Sequence, residues 1–326
     1  MSWIVARKMS GDELSRVLRE GFMHRINKGD GRHRMVEVFP RGSRVPDLVE
    51  LGKPRIVLMV LLSVAAGFWM AGPSNHAALV LFHTLLGTAF VAAGTNALNQ
   101  VVERRFDALM LRTRSRPLPA GRLGVATAAV VAWLSGVGGV VYLAVTVNWV
   151  VATLAAATLV SYVFAYTPLK RHSSVATLVG AIPGAFPIVG GWAAATGGLE
   201  LQAWALFCIL FLWQLPHFLA LGWLYREDYA RADFKTLSSD DSDGRLTFRF
   251  ASLYAAALLP VSLVPTLIGI AGGVYFFGAV LLSGGFLYVS SMAVRNTTRS
   301  NARRLFTSSL AYLPLLLALM VVNRAA

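Results

Sequence analysis

Asn99, Glu103 and Asp107 recur every four residues. If they lie on one helix, each step turns 400°, a drift of only about 40°, so their oxygens share a face. An amide and two carboxylates are hard oxygen donors, and Mg2+ favours a few carboxylates together with the oxygens of a bound phosphate. Arg112, Arg114, Arg116 and Arg122 follow in the same segment and supply cations for a polyanion. Together these residues read as a metal and diphosphate site. The competing reading is that Glu103 and Asp107 form solvated surface ion pairs with nearby arginines, worth about 0–1 kcal/mol each. Spacing alone weighs the two readings equally.

Such a site must be carried by a membrane bundle. The 326 residues are 56% hydrophobic and 14% charged, against about 25% charged in soluble domains. No Asp, Glu, Lys or Arg occurs in 56–102, 123–169, 172–199, 201–225, 250–294 or 305–323. A spanning helix needs roughly 20 apolar residues. The three long windows therefore hold two helices each and the three short ones hold one, which predicts an all-α polytopic membrane protein with nine transmembrane helices. Gly72-Pro73-Ser74-Asn75, the polar pair Thr146 and Asn148, and Gly272-Gly273 mark the turns that divide the long windows.

Of the 30 Lys and Arg residues, all but Arg324 fall in 1–55, 102–122, 170–171, 226–249 and 295–304. With nine spans, these segments are the N-terminus and every second loop. The positive-inside rule makes their face cytoplasmic, or the matrix in a mitochondrion. Topology and attraction to anionic lipid account for the +14 net charge better than nucleic-acid binding does. The single Cys208 excludes an internal disulfide and a Cys-based metal site. Residues 1–45 form a basic extension. Within it, Ser10-Gly11-Asp12-Glu13 has the form of a capping box ahead of Leu14, Val17, Leu18 and Phe22, which predicts a short amphipathic surface helix. Asp12, Glu13 and Glu20 argue against a transit peptide, which is poor in acids.

The run from Asn99 to Leu118 resembles the Asn-x3-Asp-x3-Asp motif and following Met-x-Arg-Thr-x-x-Arg-Pro-Leu of the UbiA-type intramembrane prenyltransferases, in particular the branch that acts on haem. Lys53-Pro54-Arg55, the stretch Tyr166 to Arg171, Gly180 with Pro183, Gly184 and Pro187, Gly191-Trp192, and Trp213 to Tyr229 resemble further segments of that family. The similarity covers roughly 50 to 235, and the last three spans match in hydropathy only. It implies that 46–326 is an intramembrane prenyltransferase domain in a bacterial plasma membrane, or in the mitochondrial inner membrane if the source is eukaryotic. It also implies farnesyl diphosphate and haem B as substrates, a hydroxyethylfarnesyl side chain built on a haem vinyl group to give haem O, Mg2+ as cofactor, and a downstream haem A synthase as partner.

By the same resemblance, Asn99, Glu103, Asp107 and Asp228 would hold Mg2+. Arg112, Arg116 and Lys170 would bind the diphosphate, with Lys53 and Arg55 at the start of the first span. Tyr166, Phe218 and Trp223 offer ring faces to an allylic cation. For any one aromatic, packing is the commoner role, and Tyr166 is favoured because it sits in a matched motif. His217 follows Pro216 in an apolar span and reads equally as a haem-binding residue or as a hydrogen-bonded structural one. His76 and His83 have no comparable setting.

Two positions depart from the family pattern. Glu103 stands where Asp is usual, and Ala232 stands where the general Asp-x3-Asp of the second loop has its second acid. Asp228 is left as the acid of that loop and Asp233 is unassigned. Two other readings stay open. One is a UbiA-type enzyme acting on an aromatic or quinone precursor or a chlorophyllide. The other is a non-catalytic haem carrier or transporter, although transporters commonly carry ionisable residues near the bilayer midplane and these windows hold no Asp, Glu, Lys or Arg.

Overall fold

The computed structural model describes residues 45–72 and 77–325. The expected surface helix at Ser10, the turn residues Pro73, Ser74 and Asn75, and His76 lie outside them. Among the described residues, nine apolar helices fall where the charge-free windows place them. Span one is Pro54–Met70, span two Ala77–Asp107, span three Val125–Thr146, span four Trp149–Leu169 and span five Ala176–Thr196. Span six is Leu201–Leu224, span seven Arg245–Leu267, span eight Gly273–Arg295 and span nine Arg299–Val322. Eight are long and apolar enough to cross a membrane, and span one, at 17 residues, is shorter. Helices are the natural outcome, because hydrocarbon offers no partner for an unpaired backbone amide.

Span one is short because the chain breaks just ahead of it. A separate helix, Val45–Gly52, precedes Lys53, whose backbone is left-handed at φ 54°, and Pro54 opens the span. Proline lacks the N–H that would continue a helix through this point. The carbonyls freed at the end of Val45–Gly52 are taken by span two: Gln100 Nε2 donates to Leu51 O at 2.6 Å and Asn96 Nδ2 to Gly52 O at 3.3 Å. Arg122 clamps the same helix from the far side, 2.9 Å from Asp47 and 2.8 Å from Glu50.

Spans one and five pack at backbone contact. A Cβ on Gly67 would strike the Ile188 carbonyl, and one on Gly191 would strike the Val64 carbonyl, the small-residue packing expected where lipid leaves van der Waals contact to hold helices together. The largest buried apolar cluster joins spans five to nine through Trp192, Leu206, Phe248, Tyr275 and Leu316. Span four widens into a π-helical turn over Ser161–Tyr166. Pro168 follows and cannot donate, while the Thr167 N–H and Oγ1 both reach Tyr162 O, the latter at 2.7 Å. The wide turn sets the direction of Tyr166.

Candidate active site

Span two stays helical through Asp107, so the four-residue spacing becomes a real face. Asn99, Glu103 and Asp107 are all buried on it, at 2%, 5% and 1% exposure. These values remove the solvated-ion-pair reading. Each oxygen donor is met by a base from a different element. Lys53 Nζ lies 3.4 Å from Asn99 Oδ1, Lys170 Nζ donates to Glu103 Oε1 at 2.8 Å, and Arg116 Nη1 donates to both Asp107 oxygens at 3.0 and 2.8 Å. The left-handed break aims Lys53, the end of span four delivers Lys170, and the turns after span two return Arg116.

Asn99 is oriented by its neighbours. The Thr167 hydroxyl donates to Tyr162 O, so it accepts from Asn99 Nδ2 at 3.2 Å, and this leaves Asn99 Oδ1 turned toward Lys53. Lys170 also lies 4.3 Å from the centre of the Tyr166 ring, within cation–π range. Tyr166 packs 4.8 Å from Tyr162 and presses against Gly180 of span five, where a Cβ would fall 2.5 Å from a ring carbon. Burial lowers the Lys53 ammonium to about 7, helped by the Arg116 and Lys170 cations. Burial also opposes charge on Lys170, but Tyr166 and Glu103 outweigh it and hold the ammonium well above its usual value.

The second acidic segment meets the first. Asp228 Oδ1 accepts from the Leu111 amide at 2.9 Å and pairs with Arg231. Burial would raise its carboxyl, yet Arg231 and the Leu111 amide hold it below the usual value. Arg112 lies over Tyr225, 4.6 Å from the ring centre. The Lys235 amide donates to Lys170 O at 2.8 Å, which ties this segment to the end of span four.

Other expected residues sit apart. Arg55 is exposed and lines an open apolar groove with Val45, Val49 and Pro54. Asp233 is exposed with a left-handed backbone at φ 55°, closing the turn after Arg226–Arg231. Trp223 is buried edge-on against Phe248, and the Arg226 guanidinium lies over its ring at 4.0 Å, so the core and a protein cation already take up this ring. His217 faces span nine. The Ser309 hydroxyl donates to Phe306 O at 2.6 Å and therefore accepts from His217 Nδ1 at 2.8 Å, leaving the Nε2 lone pair uncommitted. Trp213 stacks on the imidazole at 5.3 Å and donates to Ser309 O at 2.8 Å. Ser309, Thr167, Tyr162, Asn96 and Gln100 were not among the sequence candidates. The last two lie on the same span as the acid motif, and a search for further polar residues there would have found them.

Among the described residues no three of His, Cys, Asp and Glu converge closely enough to hold a metal. The donor chemistry nevertheless fits Mg2+. The Asn99 amide and the Glu103 and Asp107 carboxylates form one buried row of hard oxygens, and the opposing Lys170 and Arg116 side chains can turn toward an arriving anion.

Among the described residues, nine apolar helices form a bundle that carries this oxygen-and-base cluster at one end. Residues 60–316 match the UbiA prenyltransferase family, and the chain belongs to it. The protoheme IX farnesyltransferase of Solibacter usitatus is 45% identical over 287 residues, covering 85% of this chain and 98% of that protein. The protoheme IX farnesyltransferase of Salinibacter ruber is 45% identical over 277 residues, covering 85% and 98%. The fold is similar to that of a digeranylgeranylglyceryl phosphate synthase, with a TM-score of 0.72 at 15% identity over 85% of this chain and 97% of that one. It is also similar to a UbiA homologue from Archaeoglobus fulgidus bound to GPP and Mg2+, with a TM-score of 0.60 at 16% identity over 84% and 99%.

Proposed function

We propose that the chain is a protoheme IX farnesyltransferase that joins the farnesyl group of farnesyl diphosphate to a vinyl group of haem B to give haem O. The observation that carries the reading is the buried row Asn99, Glu103 and Asp107, matched base for base by Lys53, Lys170 and Arg116, in a chain 45% identical to proteins of that name. In the reaction the allylic C–O bond breaks and pyrophosphate departs. The vinyl carbon bonds to the farnesyl cation, and water adds to the other vinyl carbon with loss of a proton, leaving the hydroxyethylfarnesyl side chain.

Asn99, Glu103 and Asp107 would hold Mg2+, which when bound neutralises the diphosphate and makes it a better leaving group. Lys170 and Arg116 exchange their carboxylate partners for diphosphate oxygens, Arg116 through its planar fork and Lys170 as a point charge. Arg112, braced by Tyr225, sits where it can take a further oxygen. Tyr166 presents its ring to the allylic cation, and Tyr162 and Gly180 fix that ring. The uncommitted Nε2 of His217 is available to haem iron. The basic face is cytoplasmic by the positive-inside rule, and the membrane is a bacterial plasma membrane. A downstream haem A synthase is a natural recipient of the product.

The test is mass spectrometry of the pigment formed when the chain is expressed with haem B and prenyl diphosphates. A product heavier than haem B by one farnesyl group and one hydroxyl is expected. Mg2+-dependent prenylation of a different acceptor would favour another UbiA-type substrate. Bound haem without pyrophosphate release would make the chain a carrier.

A further inference from the structure

Asp228 belongs to the metal set by sequence, but its surroundings are of a different kind from those of Glu103 and Asp107. Their partners are lysine and arginine side chains, which can rotate away. Asp228 also has such a partner in Arg231, but its Oδ1 accepts in addition from the backbone amide of Leu111 at 2.9 Å. A peptide N–H is fixed in the chain and presents its positive end to this oxygen, which makes Oδ1 a poorer seat for a cation than an oxygen met only by a mobile side chain.

Around this contact the two segments are sealed by apolar packing. Met110 is buried against Ala232 and Phe234, joined by Phe106 and Tyr229. Ala232 is fully buried and occupies the place where a second acid would stand in the general family pattern. A carboxylate there would be buried in this apolar contact and, unless paired, would cost several kcal/mol. The second segment has therefore given up one acid to packing and committed one oxygen of the other to the first segment's backbone.

We propose that Asp228 is a positioning residue, a latch that fastens segment 108–123 to segment 225–235 and so holds Arg112 and Arg116 over the mouth of the site, rather than a metal ligand. Its contribution to turnover rests on the prenyl transfer proposed above; the latch itself does not. Asp228 Oδ2 is the atom through which the rival role would act.

Two measurements on the full-length chain in detergent separate the roles. Hydrogen exchange of 108–123 reads the latch, and Mn2+ binding by electron paramagnetic resonance reads the metal. Asp228→Ala should speed exchange at Leu111 and Arg112 by about tenfold or more, while Asp228→Asn, which keeps a carbonyl acceptor, should stay within about threefold of the unaltered chain. Mn2+ affinity should change less than about twofold in Asp228→Asn, against about tenfold or more in Asp107→Asn. Unchanged exchange in Asp228→Ala, or a loss of Mn2+ affinity in Asp228→Asn matching that of Asp107→Asn, overturns the proposal. Failure of the unaltered chain to bind Mn2+ counts against the metal reading alone, since exchange reads the latch by itself.

Discussion

Lys170 Nζ sits 2.8 Å from Glu103 Oε1 and 4.3 Å from the centre of the Tyr166 ring, so one ammonium group links the acid row of span two to the aromatic end of span four. Removing it leaves the Glu103 carboxylate buried without a counter-charge, which costs about 3–5 kcal/mol. Lys170→Met should therefore lower the unfolding midpoint and abolish turnover. Adding Glu103→Gln should restore most of the stability and none of the turnover, as read by thermal unfolding beside product assay. Because the folded-state pKa of Lys170 is raised, this stabilisation is complete below the ordinary lysine value and is lost only as pH climbs through the raised one. No loss of the pair is expected between about pH 6 and 9.

Lys53 gives the opposite slope. Its folded-state value of about 7 lies below the 10.5 of a free lysine, so from about 7 to 10.5 the unfolded chain binds the extra proton and stability rises with pH. Below about 7 the full cost of charging Lys53 is present. Lys53→Met should be more stable than the unaltered chain at about pH 6, and the gap should close as pH rises toward 10.5. Paired melting curves across that range check the sign, and a gap that widened with pH would refute it.

Gly180→Ala tests how finely Tyr166 is placed. The new methyl carbon would sit 2.5 and 2.6 Å from two ring carbons, forcing the ring to shift. Overpacking of this kind costs about 1–3 kcal/mol, and a misplacement near 1 Å costs about a hundredfold in rate. The expected signature is a fall in kcat with little change in KM for the diphosphate, since Lys170 and Arg116 stay in place.

Much of this arrangement was legible in the residues, for identifiable reasons. Charge-free windows located every span because hydrocarbon excludes Asp, Glu, Lys and Arg regardless of tertiary detail. The four-residue spacing of Asn99, Glu103 and Asp107 predicted a shared face because span two runs on as a helix. Local patterns could not anticipate contacts made across the bundle. The left-handed turn at Lys53 depends on Gln100 and Asn96, some 45 residues away, taking two carbonyls. Ser309 reaches His217 across 92 positions. Asp228 read as a ligand because its type and motif were visible, whereas the Leu111 amide that occupies it carries no side-chain signature. Trp223 has the right type at the right end of the bundle, yet it turns into the core against Phe248.

The Ser309 contact carries its own prediction. With the serine hydroxyl committed to Phe306 O, His217 must donate from Nδ1 and keep Nε2 as an acceptor. Ser309→Ala removes that bias. Haem titration followed by absorbance should show affinity weakened about tenfold, the scale of losing a partner that orients a metal-binding imidazole. The KM for farnesyl diphosphate should not move. Unchanged haem affinity would separate His217 from the iron.

The π-helical turn at Ser161–Tyr166 also sets the angular phase of everything after it. Each α-helical residue advances the chain by about 100°, so the extra residue held in the wide turn acts as a phase shim between the lipid-facing body of span four and its tip. Tightening the stretch to an ordinary helix with every residue kept would give better local geometry but a tip rotated by roughly a quarter turn. Tyr166 would then face away from Gly180, and Lys170 from Glu103. The less regular helix is the one in which both ends of span four face their proper partners at once.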